Sequence, residues 1–181
     1  MTGGCIDWRL GAGGAGTLLA GALLAWGAVA STAWTGELPE PEGDIVLRVT
    51  GNIERVNGPD EAQLDLRMLK ALPHHRLETR TVVTDGVNVF EGFLVRDLLD
   101  ALGADGETVT ATALNDYVID IPYSDFERFD VLAAYRMDGE KLTPRDKGPL
   151  WIVYPRDDHT ELQDIRYDYR WVWQLVQIEI Q

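Results

Sequence analysis

Residues 90–103 read Phe90-Glu91-Gly92-Phe93-Leu94-Val95-Arg96-Asp97-Leu98-Leu99-Asp100-Ala101-Leu102-Gly103. The period changes partway through. Val87-Asn88-Val89-Phe90 alternates as a strand does, whereas Leu94, Leu98, Leu99 and Leu102 fall on one helical face and Gly103 stands where a helix-ending glycine belongs. A strand running directly into a short amphipathic helix is a building unit of α+β domains, and the flanking sequence extends it in both directions.

Upstream, residues 77–83 alternate and are rich in Thr and Val, and Asp85-Gly86 is a turn pair, so residues 77–90 read as a hairpin. Residues 45–49 are β-branched between Gly43 and Gly51 and read as a strand. Pro59-Asp60-Glu61 reads as a helix start, with Leu64, Met68, Leu69 and Leu72 on one face before Pro73. Downstream, residues 108–114 and 117–121 read as strands joined at Asn115-Asp116, followed by a short helix with Ser124 as its N-cap. Residues 131–137 form a strand that turns at Asp138-Gly139, and the unbroken apolar run 150–154 predicts a strand buried on both faces. Residues 161–170 are polar and read as a helical turn or loop before alternation resumes toward Ile180. Strands joined by hairpin turns and mixed with short helices predict an α+β fold built on a mixed sheet.

The 181 residues carry 30 acidic and 16 basic side chains, a formal charge of −14. An acidic surface without a Lys/Arg cluster repels phosphate backbones, which excludes nucleic acid as a natural partner. Residues 10–30 contain no charge, follow Arg9 and end in Ala28-Val29-Ala30, the form of an export signal cleaved before Ser31. A run of that length also suits an uncleaved membrane anchor, the one way in which this chain would meet a membrane. The expected organisation is a signal over 1–30, a Pro/Gly-rich linker over 31–44 and one domain over 45–181, placed outside the cytoplasm. Cys5 is the only cysteine. A cleaved chain therefore has no disulfide, no thiolate nucleophile and no cysteine-ligated metal.

The segment 90–99, with Ala113-Leu114-Asn115-Asp116-Tyr117, Ala134-Tyr135-Arg136-Met137-Asp138-Gly139 and Lys147-Gly148-Pro149-Leu150-Trp151-Ile152-Val153-Tyr154-Pro155, resembles the oxidoreductase molybdopterin-binding domain. That is the fold of the sulfite oxidase family, and the likeness to its short exported bacterial members runs from Ile45 to Ile180. The resemblance implies a cysteine thiolate on molybdenum, with arginine, lysine and histidine around the anionic pyranopterin and its phosphate. Counting back from Phe90-Glu91-Gly92 puts the ligand position at Thr79-Arg80-Thr81, where no cysteine stands. The family's pattern places an arginine at Trp151, and its lysine-bearing loop corresponds to Arg156-Asp157-Asp158-His159, whose adjacent carboxylates repel a phosphate.

The resulting expectation is a retained fold without a predicted cofactor, acting as a ligand-binding, accessory or sensory module. Its partner would be a small anionic or neutral ligand or an extracytoplasmic protein. The alternative is a molybdopterin-dependent oxidoreductase with atypical metal ligation. No catalytic residue and no metal ligand is assigned. Arg80, Asn115, Asp116, Tyr117 and Arg136 form the candidate pocket, with a plain hairpin turn as the competing reading of 115–117. Trp151, Trp173, Tyr154, Tyr167 and Tyr169 are candidates for an aromatic wall, Trp151 being the one best explained as core. His74 and His75, adjacent in an extended chain, point to opposite faces and cannot readily share a metal. Asp157, Asp158 and His159 lack a distant fourth ligand.

Overall fold

The computed structural model describes Met1, Trp34 and residues 36–181. The signal or anchor segment and Cys5 lie outside the described residues. The chain divides into Met1–Ala30 and Ser31–Gln181, and the domain is the second unit.

Ten strands are present among the described residues, in one mixed sheet. In chain order they are β1 (Ile45–Gly51), β2 (Glu61–Asp65), β3 (His75–Arg80), β4 (Val87–Leu94), β5 (Thr108–Ala113), β6 (Val118–Pro122), β7 (Leu132–Met137), β8 (Glu140–Lys141), β9 (Leu150–Val153) and β10 (Trp173–Ile180). The spatial order is β2-β1-β10-β9-β7-β4-β3, with β5 also on β10, β6 beyond β5, and β8 on β7. The pair β1/β10 is parallel and the others are antiparallel, so the expected α+β mixed sheet is what the chain builds.

β10 organises this topology. Its first residues pair with β9, Trp173 opposite Trp151, and its last pair with β1, Gln177 opposite Arg48. The register against β9 shifts between Trp173 and Leu175, and Gln174 there adopts φ 55°, a left-handed conformation. The Gln174 side chain secures it, donating to the Pro144 and Asp146 carbonyls at 2.8 and 3.1 Å.

The deciding stretch behaves as its period predicts. β4 leads straight into helix α2 (Val95–Leu102), whose Val95, Leu98, Leu99 and Leu102 are buried, and Gly103 closes it at φ 65°. Gly92 permits the close pairing of β4 with β7, because a Cβ there would collide with the Ala133 carbonyl. β9 is buried along its whole length, as its unbroken apolar run requires.

Two local readings are corrected. Residues 61–65 are strand rather than helix, and only Leu66–Leu69 forms a helix, α1. The edge of β1 offers a ladder that buries Ala62 and Leu64, and this tertiary pairing outweighs the helical spacing. Helix α3 (Tyr123–Arg128) starts directly after Pro122, so Ser124 lies inside its first turn instead of capping it. The polar stretch after β9 forms a 3-10 turn at Thr160–Gln163 and a short helix α4 (Ile165–Asp168).

The segment read as a linker contributes Trp34 and Leu38 to the core. It is clamped by Asp65, whose carboxylate accepts from Glu42 N and Gly43 N at 2.8 and 3.0 Å and from Met68 N at 2.8 Å. Burial opposes ionisation of this carboxyl, yet the three N–H donors prevail and hold it below its ordinary value.

Candidate functional site

Three chain segments leave a cleft of about 260 Å³ between them. The first is the loop after β3, whose Val82 and Val83 line it and remain largely exposed. Threonines shape this loop: Thr81 Oγ1 accepts the Val83 N–H at 3.1 Å and lies 2.7 Å from Thr84 Oγ1, which donates to Asn88 Oδ1 at 2.6 Å.

The second segment is the β5–β6 turn. Asp116 takes φ 62°, and Asn115 Oδ1 accepts the Tyr117 N–H at 3.2 Å, an Asx turn that presents Asn115 and Tyr117 to the cleft. The turn and the site are thus the same structure. Tyr117 Oη donates to the Tyr169 carbonyl at 2.8 Å and ties this wall to the next. Burial, with a smaller effect of the Tyr169 phenol, raises the Tyr117 pKa, so the ring stays neutral at physiological pH.

The third wall follows α4 and supplies Asp168, Tyr169, Trp171 and Trp173. Trp171 is 3% exposed and Trp173 37%, so one ring belongs to the core and the other faces solvent. Beneath them, Trp171 packs edge-on against Trp151 at 6.4 Å between centroids and tilted against Tyr154 at 6.2 Å. The Arg170 guanidinium is an ion-pair partner of Asp125 and lies 4.7 Å over the Tyr167 ring. Arg156 Nη1 donates to Asp168 Oδ1 at 2.6 Å. The indole N–H groups of Trp151 and Trp171 are buried and have no hydrogen-bond partner among the described residues.

Of the five expected pocket residues, the structure brings Asn115 and Tyr117 to the cleft. Asp116 sits at the exposed tip of the turn. Arg80 is exposed and turned to Asp157, whose Oδ2 accepts its backbone N–H at 3.0 Å and lies 3.9 Å from its Nε. Arg136 caps the β7–β8 turn by donating to the Gly139 carbonyl at 2.8 Å. Among the aromatic candidates Tyr169 and Trp173 reach the cleft, Trp151 and Tyr154 are fully buried, and Tyr167 packs beneath. Val82, Val83, Asp168 and Trp171 were not anticipated. The available signal was the density of aromatic residues at Tyr167, Tyr169, Trp171 and Trp173, since the turn at 169–170 follows no strand period.

His74 approaches Glu91 at 3.6 Å and His75 approaches Asp97 at 3.3 Å, separate partners as their adjacency implies. No group of three metal-ligating side chains occurs among the described residues. The cleft does not suit an anionic molybdopterin. Thr79 is buried with its hydroxyl used by the Arg80 carbonyl and the Asp157 N–H, the Thr81 hydroxyl holds its own loop, and Trp151 fills its position as core against Phe90. Among the described residues no Lys or Arg lines the cleft, and its one charged group is a carboxylate.

A family model described as oxidoreductase molybdopterin binding domain matches residues 35–157. The match takes in β1 to β9 and two of the three cleft walls, and ends before the wall formed by Asp168, Tyr169, Trp171 and Trp173. No curated protein matches the chain.

Proposed function

This chain belongs to the oxidoreductase molybdopterin binding domain family, and we propose that it uses the fold as a non-catalytic binding module, taking a small ligand in the aromatic cleft in place of molybdenum chemistry. The composition of the cleft supports the reading. A molybdenum centre calls for a soft thiolate, and a pterin phosphate calls for cationic donors. Here the loop after β3 supplies Thr81, Val82 and Val83, and the opposite walls supply Tyr117, Trp171 and Trp173. An apolar concavity with a few fixed polar groups is the usual form of a small-molecule site. The uncharged segment 10–30 supports a location outside the cytoplasm, where the bound state would be passed to a protein partner.

Elemental analysis for molybdenum and pterin fluorescence after oxidation, on protein from the exported fraction of its own host, test this reading. The expected result is neither metal nor pterin. Molybdenum near one per chain, with pterin, would overturn the reading in favour of an oxidoreductase with atypical ligation.

A further inference from the structure

Given that the cleft is a binding site, we propose that its ligand is a small organic cation of the quaternary or methylated ammonium class. Tyr117, Tyr169, Trp171 and Trp173 form the cage and Asp168 supplies the counter-charge. The inference rests on the binding-module reading and adds the chemistry of the ligand.

Ring placement is the first observation. Among the described residues none of these four rings stacks on another; the aromatic neighbours of Trp171 are the core residues Trp151 and Tyr154. All four line the cleft, Tyr169 and Trp173 keeping much of their surface in solvent and Trp171 lying almost wholly beneath it. Aromatic faces carry negative quadrupole potential, which attracts a cation within about 6 Å of the centroid.

Charge is the second observation. Asp168 is the only charged residue lining the cleft, and its Oδ2 accepts no hydrogen bond among the described residues. Among the described residues no guanidinium lines the cleft, and Asp168 is paired with Arg156 through Oδ1 alone. Arg156 holds Asp168 Oδ1 and the carbonyls of Leu162 and Gln163 without lining the cleft, and Arg170, between two wall residues, is drawn to Asp125. An anion would face ring quadrupoles and a carboxylate in a chain of charge −14, so the expectation of an anionic ligand does not suit this cleft.

The kind of cation follows from hydration. A primary ammonium is strongly hydrated and needs several acceptors to leave water, which this largely apolar cleft does not offer. An alkylated ammonium spreads its charge over methyl groups, sheds water readily and gains contact with ring faces. A volume of about 260 Å³ accommodates such a head group with a short tail.

The test is a ligand-observed NMR titration of the full chain with choline and with dimethylbutanol, which has carbon in place of the nitrogen. Choline is expected to bind about tenfold more tightly than its neutral isostere. Trp173→Ala and Tyr169→Ala, at exposed positions, should each weaken choline several-fold, and Asp168→Asn should weaken choline while sparing dimethylbutanol. Circular dichroism melts confirm that each variant is folded. Equal affinity for the two probes would overturn the cation inference while leaving the cleft a binding site. Binding of dimethylbutanol alone would do the same. Absence of binding by both would overturn the cation inference, while the molybdenum and pterin analysis separately decides the binding-module reading.

Discussion

Arg170 and Asp125 form an ion pair across 45 residues of chain, and Tyr154 Oη donates to the same carboxylate at 2.9 Å. Asp125 and Tyr154 are buried, and Arg170 stands between Tyr169 and Trp171, two residues of the cleft wall. Helix α3 therefore fixes the backbone of a wall that is remote from it in sequence. Burial first, then the Asp125 charge and hydrogen bond, push the Tyr154 phenol well above its ordinary pKa, so it remains a neutral donor.

Replacing Asp125 by alanine removes one charge of a partly buried pair and leaves Arg170 and Tyr154 without an acceptor. The expected loss is about 3 kcal/mol in chemical denaturation, because an uncompensated buried charge costs more than the intact pair contributes. Asp125→Asn keeps an acceptor for Tyr154 and should lose less. Choline affinity should fall in both variants, since the wall loses its anchor.

Tyr117→Phe separates ring from hydroxyl. It deletes the bond to the Tyr169 carbonyl, 2.8 Å long and partly in solvent, so stability should fall by at most about 1 kcal/mol. The ring persists, and choline affinity should stay within about twofold, whereas Tyr117→Ala should reduce it several-fold. Titration of both variants decides whether the ring is what binds.

Asp65 makes the attachment of the 36–44 segment sensitive to acid. Its folded pKa lies below 3.8, the ordinary value that the unfolded chain keeps, so its contribution is fully present above that value and is lost as pH falls through the folded pKa. Asp65→Asn keeps an oxygen to cap the Met68 N–H but turns an amide NH2 toward the Glu42 and Gly43 N–H groups, and should cost about 1 kcal/mol near neutral pH. Melts between about pH 5 and pH 2 should show wild type and variant converging at the acid end.

Gly92→Ala should destabilise the domain by about 2 kcal/mol or more, since the new Cβ would meet the Ala133 carbonyl and force β4 from β7. Ala101→Gly, in the last turn of α2, is a useful contrast and should cost about 1 kcal/mol through helix propensity. Thermal melts of the two distinguish collision from a general sensitivity of this region.

The deciding stretch was legible because both its signals are local. The period of α2 and the left-handed glycine after it depend on neighbours within a few residues, and Gly103 adopts φ 65° accordingly. Residues 61–65 were misread because their strand exists only by pairing with β1, and spacing alone fits either element. At the site, Asn115 and Tyr117 were legible as a turn between two strands. Arg80 and Arg136 were drawn into the candidate pocket by residue type, but Arg80 meets Asp157, 77 residues away, and Arg136 is used locally by the Gly139 carbonyl in the β7–β8 turn.

The amino-acid sequence by itself determined the charge, the order of most strands and helices, the absence of any cysteine after residue 5, and the family likeness. These follow from composition and short-range pattern. Only the tertiary structure decided that residues 82–83, 115–117 and 168–173 enclose one cleft, and that it is aromatic and lined, among the described residues, by no basic side chain. The physical reason is that the walls are held by contacts such as Tyr117 with Tyr169, between two walls, and Arg170 with Asp125, between a wall and α3, which join segments tens of residues apart and leave no periodic trace in the chain.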